Sequence, residues 1–387
     1  MTPHHYPSPF TMKYIDDFRD PALARALVEQ IRREAPRPIR VMEFCGGHTH
    51  AIFRFGLRDL LAGAVELRSG PGCPVCVTAA ADLDRAIALA DVPGVTLTTF
   101  GDMLRVPGSG GDLQAARARG ADVRIVYSPA DAVTLARETP RREVIFLGVG
   151  FETTAPGVAA ALLQAEAGRV PNFSVLSLHK LTPPATRAIL EAGEVALEGI
   201  LGPGHVSAII GSAAWEFLPR EYGIPVAISG FEPLDLLGAI AALVRAAVRG
   251  EPAVSNVYSR GVRAQGNPVA QELLARVFEI GEAEWRGFGV IPASGLALRA
   301  EFASRDAALR FPLAVTPSRE PPGCRCGEVL RGVIEPPDCA LFGRACTPRR
   351  PIGPCMVSAE GACAAYYQYR EQAPAWRGAD ARGRGGG

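Results

Sequence analysis

The feature that most constrains this chain is a regular alternation of short apolar runs and Ala/Leu-rich stretches between residues 38 and 248. The apolar runs are rich in β-branched residues, and the stretches between them have the length and composition of helices. Such alternation is typical of parallel sheets covered by helices. The predicted strands are residues 39–44, 65–67, 95–100, 123–127, 144–149, 173–178, 199–201 and 226–229.

Eight strand-helix units are compatible with one closed barrel or with two open sheets of about four strands each. The periodicity alone does not decide between them. In either case ligands bind just past the carboxyl ends of the strands, and conspicuous residues occupy those positions. They are Cys45, Asp102, Glu152, His205 and Glu232. We expect one shared cleft to collect them.

The overall charge and hydrophobicity limit the functional classes. The chain has 41 basic and 40 acidic residues among 387, so its net charge of +1 does not favour nucleic acid as a partner. No apolar run reaches the ~20 residues that span a bilayer, and the first residues lack the order of a secretory signal. We therefore expect a cytoplasmic protein without a membrane partner. In that compartment nine cysteines favour metal binding or redox chemistry over structural disulfides.

The strongest chemical signal is a C-terminal cysteine cluster. Six of the nine cysteines fall within forty residues: Cys324, Cys326, Cys339, Cys346, Cys355 and Cys363. Converging thiolates suit an iron-sulfur cluster or a structural zinc. A zinc ribbon normally shows two CxxC pairs, and this segment has none, so iron-sulfur is favoured. One or two of the six are also compatible with ordinary buried cysteines.

A second signal lies after the first predicted strand, where Cys45 is followed by two glycines and then by His48 and His50. A thiol at a helix N-terminus is expected to have a lowered pKa, and it can bind iron, copper or zinc with an imidazole. A Cys-Gly-Gly turn is also typical of a simple tight reversal of the chain.

A third signal is the CxxC formed by Cys73 and Cys76 directly before a predicted helix. This spacing allows a reducible disulfide or a dithiol metal site. Since no second pair of zinc ligands lies nearby, the pair is interpreted as redox-active. Three glycine-containing turns follow later strands, at residues 148–154, 202–207 and 230–233, and none matches a nucleotide-binding loop.

Five motifs, in order along the chain, resemble those of the HypD family of hydrogenase maturation factors. They are CGGHTH at 45–50, GPGCPVC at 70–76, GFETTAP at 150–156, PGHVS at 203–207 and CMVSAEGACAAYY at 355–367. The resemblance extends from about residue 14 to residue 369, without a departure in the motif residues.

The resemblance implies a scaffold on which the Fe(CN)2CO centre of [NiFe]-hydrogenase is assembled. It implies a small partner of the HypC type and a cyanide donor of the HypE type. Carried over residue by residue, Cys45 is the iron ligand with His48 nearby, and Cys73 and Cys76 form a redox dithiol. Such a protein is an assembly factor more than a stand-alone enzyme.

The resemblance also implies two similar open α/β domains and a small cluster domain, which excludes the single barrel. The expected bounds are 14–128, 129–250 and 251–372, followed by a disordered tail at 373–387. A [4Fe-4S] cluster is implied by cysteines separated by 14, 6 and 16 residues, a pattern that this sequence meets. The matching cysteines are Cys324, Cys339, Cys346 and Cys363.

Two of the six C-terminal cysteines remain outside that pattern. Cys326 and Cys355 are candidates for an auxiliary redox pair, and one of them is an alternative to Cys324 as ligand. Two other functional classes also stay open. One is a cluster-dependent thiol-disulfide oxidoreductase resembling ferredoxin-thioredoxin reductase, and the other is a zinc-stabilised binding module.

Overall fold

The computed structural model describes residues 16–313 and 319–370. The predicted tail at 373–387 lies outside the described residues. Within the described part, β-strands form at every position where the sequence predicted one. The strands are β1 (Ile39–Glu43), β2 (Val65–Ser69), β3 (Val95–Thr99), β4 (Asp122–Ile125), β5 (Glu143–Gly148), β6 (Phe173–Ser177), β7 (Gly199–Pro203), β8 (Val226–Ser229), β9 (Val254–Asn256), β10 (Phe278–Trp285) and β11 (Gly289–Leu298).

Helices connect most of the strands and begin at recognisable signals. Pro129 and Pro233, for example, each occupy the first position of a helix, where a missing N–H is tolerated. The helices are α1 (Pro21–Glu34), α2 (Gly46–Arg54), α3 (Leu57–Leu61), α4 (Pro74–Val77), α5 (Ala80–Ala90), α6 (Leu113–Ala118), α7 (Pro129–Glu138), α8 (Ala155–Ala167), α9 (Thr182–Ala192), α10 (Gly204–Ile210), α11 (Pro233–Arg249), α12 (Pro268–Val277), α13 (Ala307–Arg310), α14 (Cys326–Leu330) and α15 (Ala362–Tyr369). Within the described ranges, no helix combines the length and the apolar character needed to cross a membrane.

Nine of the strands form two open parallel sheets, which confirms the predicted α/β class. The five-stranded sheet has the order β2-β1-β7-β8-β9, and the four-stranded sheet has the order β4-β3-β5-β6. Every residue of β3 and of β7 is buried, as expected for parallel strands covered on both faces. Since each sheet ends in edge strands, the described strands do not close into a barrel.

The connection between the sheets differs from the predicted domain bounds. Val41 of β1 pairs with Gly199 of β7, so the five-stranded sheet takes strands from both ends of the region and the four-stranded sheet is inserted between β2 and β7. The expected boundary at 128/129 divides the four-stranded sheet, and the boundary at 250/251 separates β9 from its neighbour β8. Local patterning shows where a strand lies, but apolar contacts between distant segments select its neighbour.

The antiparallel hairpin of β10 and β11 contributes to two apolar clusters. Its Trp285 is buried in the apolar cluster that includes Cys73 and Cys76, whereas Leu298 belongs to the cluster around α8. Helix α12 ends at Val277, because Phe278 already pairs with Leu298 in the hairpin.

Candidate iron and thiol site

Cys45 lies at the end of β1, where it occupies the position that caps α2. Its backbone N–H donates to Oε2 of Glu43 at 2.9 Å, and the Thr49 hydroxyl donates to Oε1 of the same carboxylate. Glu43 is 1% exposed, and burial raises its pKa to about 8. A buried carboxyl therefore fixes the backbone that carries the thiol.

The predicted lowering of the Cys45 pKa is wrong. Burial, with smaller contributions from Glu360 and Glu43, raises the pKa of the thiol to about 12, although the backbone N–H groups of Gly47 and His48 act in the opposite direction. Desolvation therefore outweighs the start of the helix. A cation that binds the sulfur has to displace its proton, which makes binding pH-dependent.

The glycines around Cys45 permit close packing. A Cβ on Gly72 would lie 2.2 Å from the backbone nitrogen of Cys45, and the N–H of Gly46 donates to the Gly72 carbonyl at 2.9 Å. A Cβ on Gly46 would meet Glu360, and one on Gly47 would meet the Phe231 ring at 2.9 Å. The motifs at 45–50 and 70–76 therefore pack backbone against backbone. The side chains of Glu360 and Phe231 occupy the space next to Gly46 and Gly47.

His48 is fully buried and offers one free ring nitrogen. Its Nε2 lies 3.2 Å from the Ser229 carbonyl oxygen, and its Nδ1 has no hydrogen-bond partner among the described residues. Burial lowers the pKa of the imidazole to about 4, so the ring is neutral near pH 7. Because a carbonyl oxygen only accepts, Nε2 carries the proton and Nδ1 keeps a lone pair that can bind a metal.

His205 joins this site through Phe231. The Phe231 ring stacks on His205 at a centroid distance of 4.0 Å and lies 4.9 Å from His48. The carboxyl ends of β1, β7 and β8 thus meet, as the sequence predicted for residues that follow neighbouring parallel strands.

Glu360 is a site residue that the sequence analysis did not single out. Much of the residue is exposed, but its carboxyl end faces Gly46. Partial burial there, together with repulsion by Asp102, raises the pKa of Glu360. Asp102, in the 3-10 helix Gly101–Arg105 after β3, thus lies on the same side as Cys45. The available signal was the position of Glu360 inside the motif at 355–367.

Three other residues that the sequence analysis named, His50, Glu232 and Glu152, have different surroundings. Both ring nitrogens of His50 face partners, the Tyr369 hydroxyl at 3.1 Å and the Ala359 carbonyl at 3.4 Å. Glu232 forms an ion pair with Arg19. Glu152 accepts hydrogen bonds from Thr182 and lines a different pocket. The expectation that a single cleft collects all five strand-end residues is therefore wrong for Glu152.

Cys73 and Cys76 form a buried dithiol at the start of α4. Their sulfurs are 2.7 Å apart, and the residues are 3% and 0% exposed. Burial raises the pKa of Cys76 well above its ordinary value. The Cys76 sulfur also lies 3.9 Å from the Pro354 carbonyl, so the pair packs against the cysteine-rich segment.

The C-terminal cysteines surround one small apolar pocket. Five of them line it: Cys324, Cys326, Cys339, Cys346 and Cys363. Gly353 covers two of the sulfurs, since a Cβ there would lie 2.5 Å from both Cys324 and Cys326. The sixth, Cys355, is fully buried, and its thiol interacts with those of Cys326, Cys363 and Cys76. Cys355 thus connects the dithiol to the pocket.

The donor types in this pocket fit an iron-sulfur cluster. In the part of the chain that the structure describes, no three His, Cys, Asp or Glu side chains are grouped to hold one metal ion. A [4Fe-4S] cluster does not require this, because each of its irons takes one thiolate. Thiols spread around an apolar pocket are the donors that such clusters use.

Comparison with known proteins gives a consistent result. Residues 22–370 match the HypD family model, described as the hydrogenase formation hypA family. The chain is 52% identical over 370 residues to the hydrogenase maturation factor HypD of Azotobacter vinelandii, covering 93% of this chain and 98% of the relative. It is 46% identical over 369 residues to the HypD of Escherichia coli strain K12, covering 93% and 99%.

Proposed function

Because the chain belongs to the HypD family of hydrogenase maturation factors, we propose that it is a scaffold for assembly of the Fe(CN)2CO centre of [NiFe]-hydrogenase. The iron is the cargo, and Cys45 is its ligand on this chain. The observation that carries the proposal is a mostly buried thiol followed three residues later by a neutral imidazole whose Nδ1 has no partner among the described residues.

Two protein donors leave iron with too few ligands, which supports a second protein at the site. We propose that a small, cysteine-bearing partner of the HypC type supplies a further thiolate, and that a HypE-type protein donates cyanide. The carboxyl group of Glu360 next to Cys45 is a candidate acceptor for the thiol proton when the metal binds.

We further propose a [4Fe-4S] cluster in the C-terminal pocket, held by Cys324, Cys339, Cys346 and Cys363. When bound, the cluster would supply electrons one at a time. The thiols of this chain offer those electrons a path from the cluster to the dithiol. Cys355 interacts with Cys326 on the pocket side and with Cys76 of the dithiol. Closing the Cys73–Cys76 pair as a disulfide releases two electrons and two protons, and opening it consumes them.

A cluster-dependent thiol-disulfide oxidoreductase is a second candidate, favoured by the CxxC beside the cysteine pocket. Burial of the dithiol opposes it, because a reductase of protein disulfides has to expose its attacking thiol to the substrate. A zinc module is a third candidate, and it would be colourless. An internal relay that serves Cys45 agrees better with the burial of both sulfurs.

Copurification tests the iron site directly. We expect a complex with a coexpressed HypC-type partner, isolated without oxygen, to show infrared bands of iron-bound cyanide and carbon monoxide. Cys45→Ala should abolish the bands and hydrogenase maturation while the brown colour of the C-terminal cluster remains. His50→Gln is the control, because the His50 nitrogens face the Tyr369 hydroxyl and the Ala359 carbonyl, and the variant should not affect the bands. Normal maturation by Cys45→Ala would contradict the assignment.

The cluster has its own test. Cys339→Ala and Cys346→Ala should each lose the brown colour and most of the roughly four irons and four sulfides per chain. Retention of all iron in both variants would refute the ligand set, and zinc in place of iron would favour the binding module.

For the dithiol, alkylation in denaturant of protein taken before and after mild reduction should differ by about two equivalents at Cys73 and Cys76. The double variant Cys73→Ser, Cys76→Ser is the matched control and should remove that difference. A zinc ion bridging the two sulfurs in native protein would argue against redox cycling.

A further inference from the structure

A second pocket lies beyond the carboxyl end of β5 in the four-stranded sheet. Its volume is about 440 Å³, within the range of roughly 300–1,000 Å³ that is usual for small-molecule sites. It is formed by α9, α10, α12 and the β10–β11 hairpin, and its lining is apolar except for Glu152 and Gln271. Ile280, at the rim, is 65% exposed, so the pocket opens to solvent.

Glu152 lines this pocket and has one unpartnered carboxylate oxygen. The residue is 1% exposed, and its Oε1 accepts from the backbone N–H and the hydroxyl of Thr182 at 2.8 and 3.1 Å. Its Oε2 is buried and has no hydrogen-bond partner among the described residues. An unsatisfied carboxylate oxygen in apolar surroundings is costly unless a donor reaches it.

The segments that follow two neighbouring strands hold the Glu152 carboxyl in place. Glu152 follows β5, and Thr182 begins α9 after the neighbouring strand β6. The preceding residue, Phe151, stacks on Trp285 at 5.9 Å within the apolar cluster around the dithiol. Phe151 therefore fixes the backbone by packing in the apolar cluster around the dithiol, and the side chain of the next residue, Glu152, lines the pocket.

The described residues also give this pocket no counter-ion. None of its lining residues is basic, and burial is the main cause that raises the pKa of Glu152 to about 7. A donor that carries a positive charge would satisfy Oε2 and offset the cost of ionising the buried carboxyl. The apolar walls would enclose the rest of such a ligand.

We propose that this pocket binds a small organic cation whose apolar body contacts α9, α12 and the hairpin, and whose protonated amine donates to Oε2 of Glu152. The site is separate from the cysteines, and the proposal does not depend on the iron-assembly role. Binding keeps the carboxyl ionised, so near pH 7 it releases a fraction of a proton from Glu152 to solvent.

Calorimetric titration of the purified full chain with a matched pair of probes tests this proposal. 2-Phenylethylamine and 2-phenylethanol share their apolar part and differ in the charged donor. At about pH 8 the amine should bind at least about tenfold more tightly than the alcohol, as expected for a charge-assisted hydrogen bond. Near pH 7 the heat of amine binding should vary with the ionisation heat of the buffer, and that of alcohol binding should not.

Two variants and a control sharpen the test. Glu152→Gln keeps an acceptor for Thr182 but removes the charge, and it should abolish the preference for the amine. Ala275→Trp, at an exposed position on the pocket wall, should weaken both probes about tenfold or more without affecting the core. Glu301→Gln, at an exposed site elsewhere, should change neither. Equal binding of the two probes, an amine preference that persists in Glu152→Gln, or no binding at millimolar concentrations would each overturn the proposal.

Discussion

The two parallel sheets are built alike, yet they use their carboxyl ends differently. In the five-stranded sheet, the residues after β1, β7 and β8 meet around the Phe231 ring, so Cys45, His48 and His205 share one site. In the four-stranded sheet, Asp102 lies near Glu360 on the cysteine side, whereas Glu152 lies in the apolar pocket. A strand end therefore predicts that a residue is available for chemistry, but the loop that follows determines which site it joins.

The largest expected contrast between the sheets is in glycine packing. Gly72→Ala would place a Cβ 2.2 Å from the Cys45 nitrogen, and neither backbone can move without displacing β1. We expect the free energy of unfolding to fall by about 3 kcal/mol, as in severe overpacking. The measurement is urea unfolding of the full chain.

Gly157→Ala, near the start of α8 in the other sheet's domain, is the matched control. A Cβ at that position meets nothing within 4 Å. We expect stability to stay unchanged or to rise by up to about 1 kcal/mol, because alanine favours the helix. Equal stabilities of the two variants would show that close loop packing does not distinguish the sheets.

A smaller effect should appear on acidification through His179, which follows β6. Burial, and then the neighbouring Lys180, lower the pKa of His179 to about 3, whereas an unfolded histidine titrates near ~6.5. Below pH ~6.5 the histidine is protonated in the unfolded state but still neutral in the folded state. The free energy of unfolding therefore falls as the pH drops from about 6.5 towards 3. At pH 5 the loss from this group should be roughly 2 kcal/mol.

Unfolding at pH 7 and pH 5 measures this effect. His179→Gln should remove about that part of the acid sensitivity. Ser177→Ala removes the hydroxyl 3.1 Å from Nδ1 but leaves the ring buried, so it should retain the sensitivity. The reverse result would mean that the hydrogen bond, and not burial, determines the pKa of His179.

The smallest effect concerns ion pairs that occur on both sheets. Glu232 pairs with Arg19 beside the five-stranded sheet, and Glu143 pairs with Arg310 at 2.7 Å beside the four-stranded sheet. Both pairs are partly exposed, so Glu232→Gln and Glu143→Gln should each reduce the free energy of unfolding by less than about 1 kcal/mol. A much larger loss for Glu232→Gln would point to a role in the cysteine site beyond the ion pair.

The sequence predicted the strands better than their neighbours. All eight predicted strands are present because β-branched residues mark them locally. The pairing of Val41 with Gly199 depends on apolar surfaces that are far apart in the sequence, so the domain bounds differ from the sheets. The periods of about 2 residues for strands and about 3.6 residues for helices carry no information about which distant strands pair.

The site shows the same division. The motif positions at strand ends and helix starts indicated where Cys45, His48 and the dithiol lie along the chain, and the backbone of Gly72 packs against that of Cys45. Those positions did not indicate Glu360, which reaches Gly46 from the C-terminal segment, nor the raised pKa of Cys45. Both depend on desolvation and packing between segments, which a linear pattern does not contain. The roles of metal ligand and redox dithiol remain predictions.

The insertion of one sheet into the other has a consequence for synthesis. On the ribosome, β3 to β6 are all made before β7, so the four-stranded sheet can form first. Throughout that time β1 lacks its central partner, and the loop that carries Cys45 has neither Phe231 nor Glu360 above it. The Cys45 thiol thus acquires its surroundings only near the end of translation, and under the proposed function metal would be loaded only once the whole chain is present.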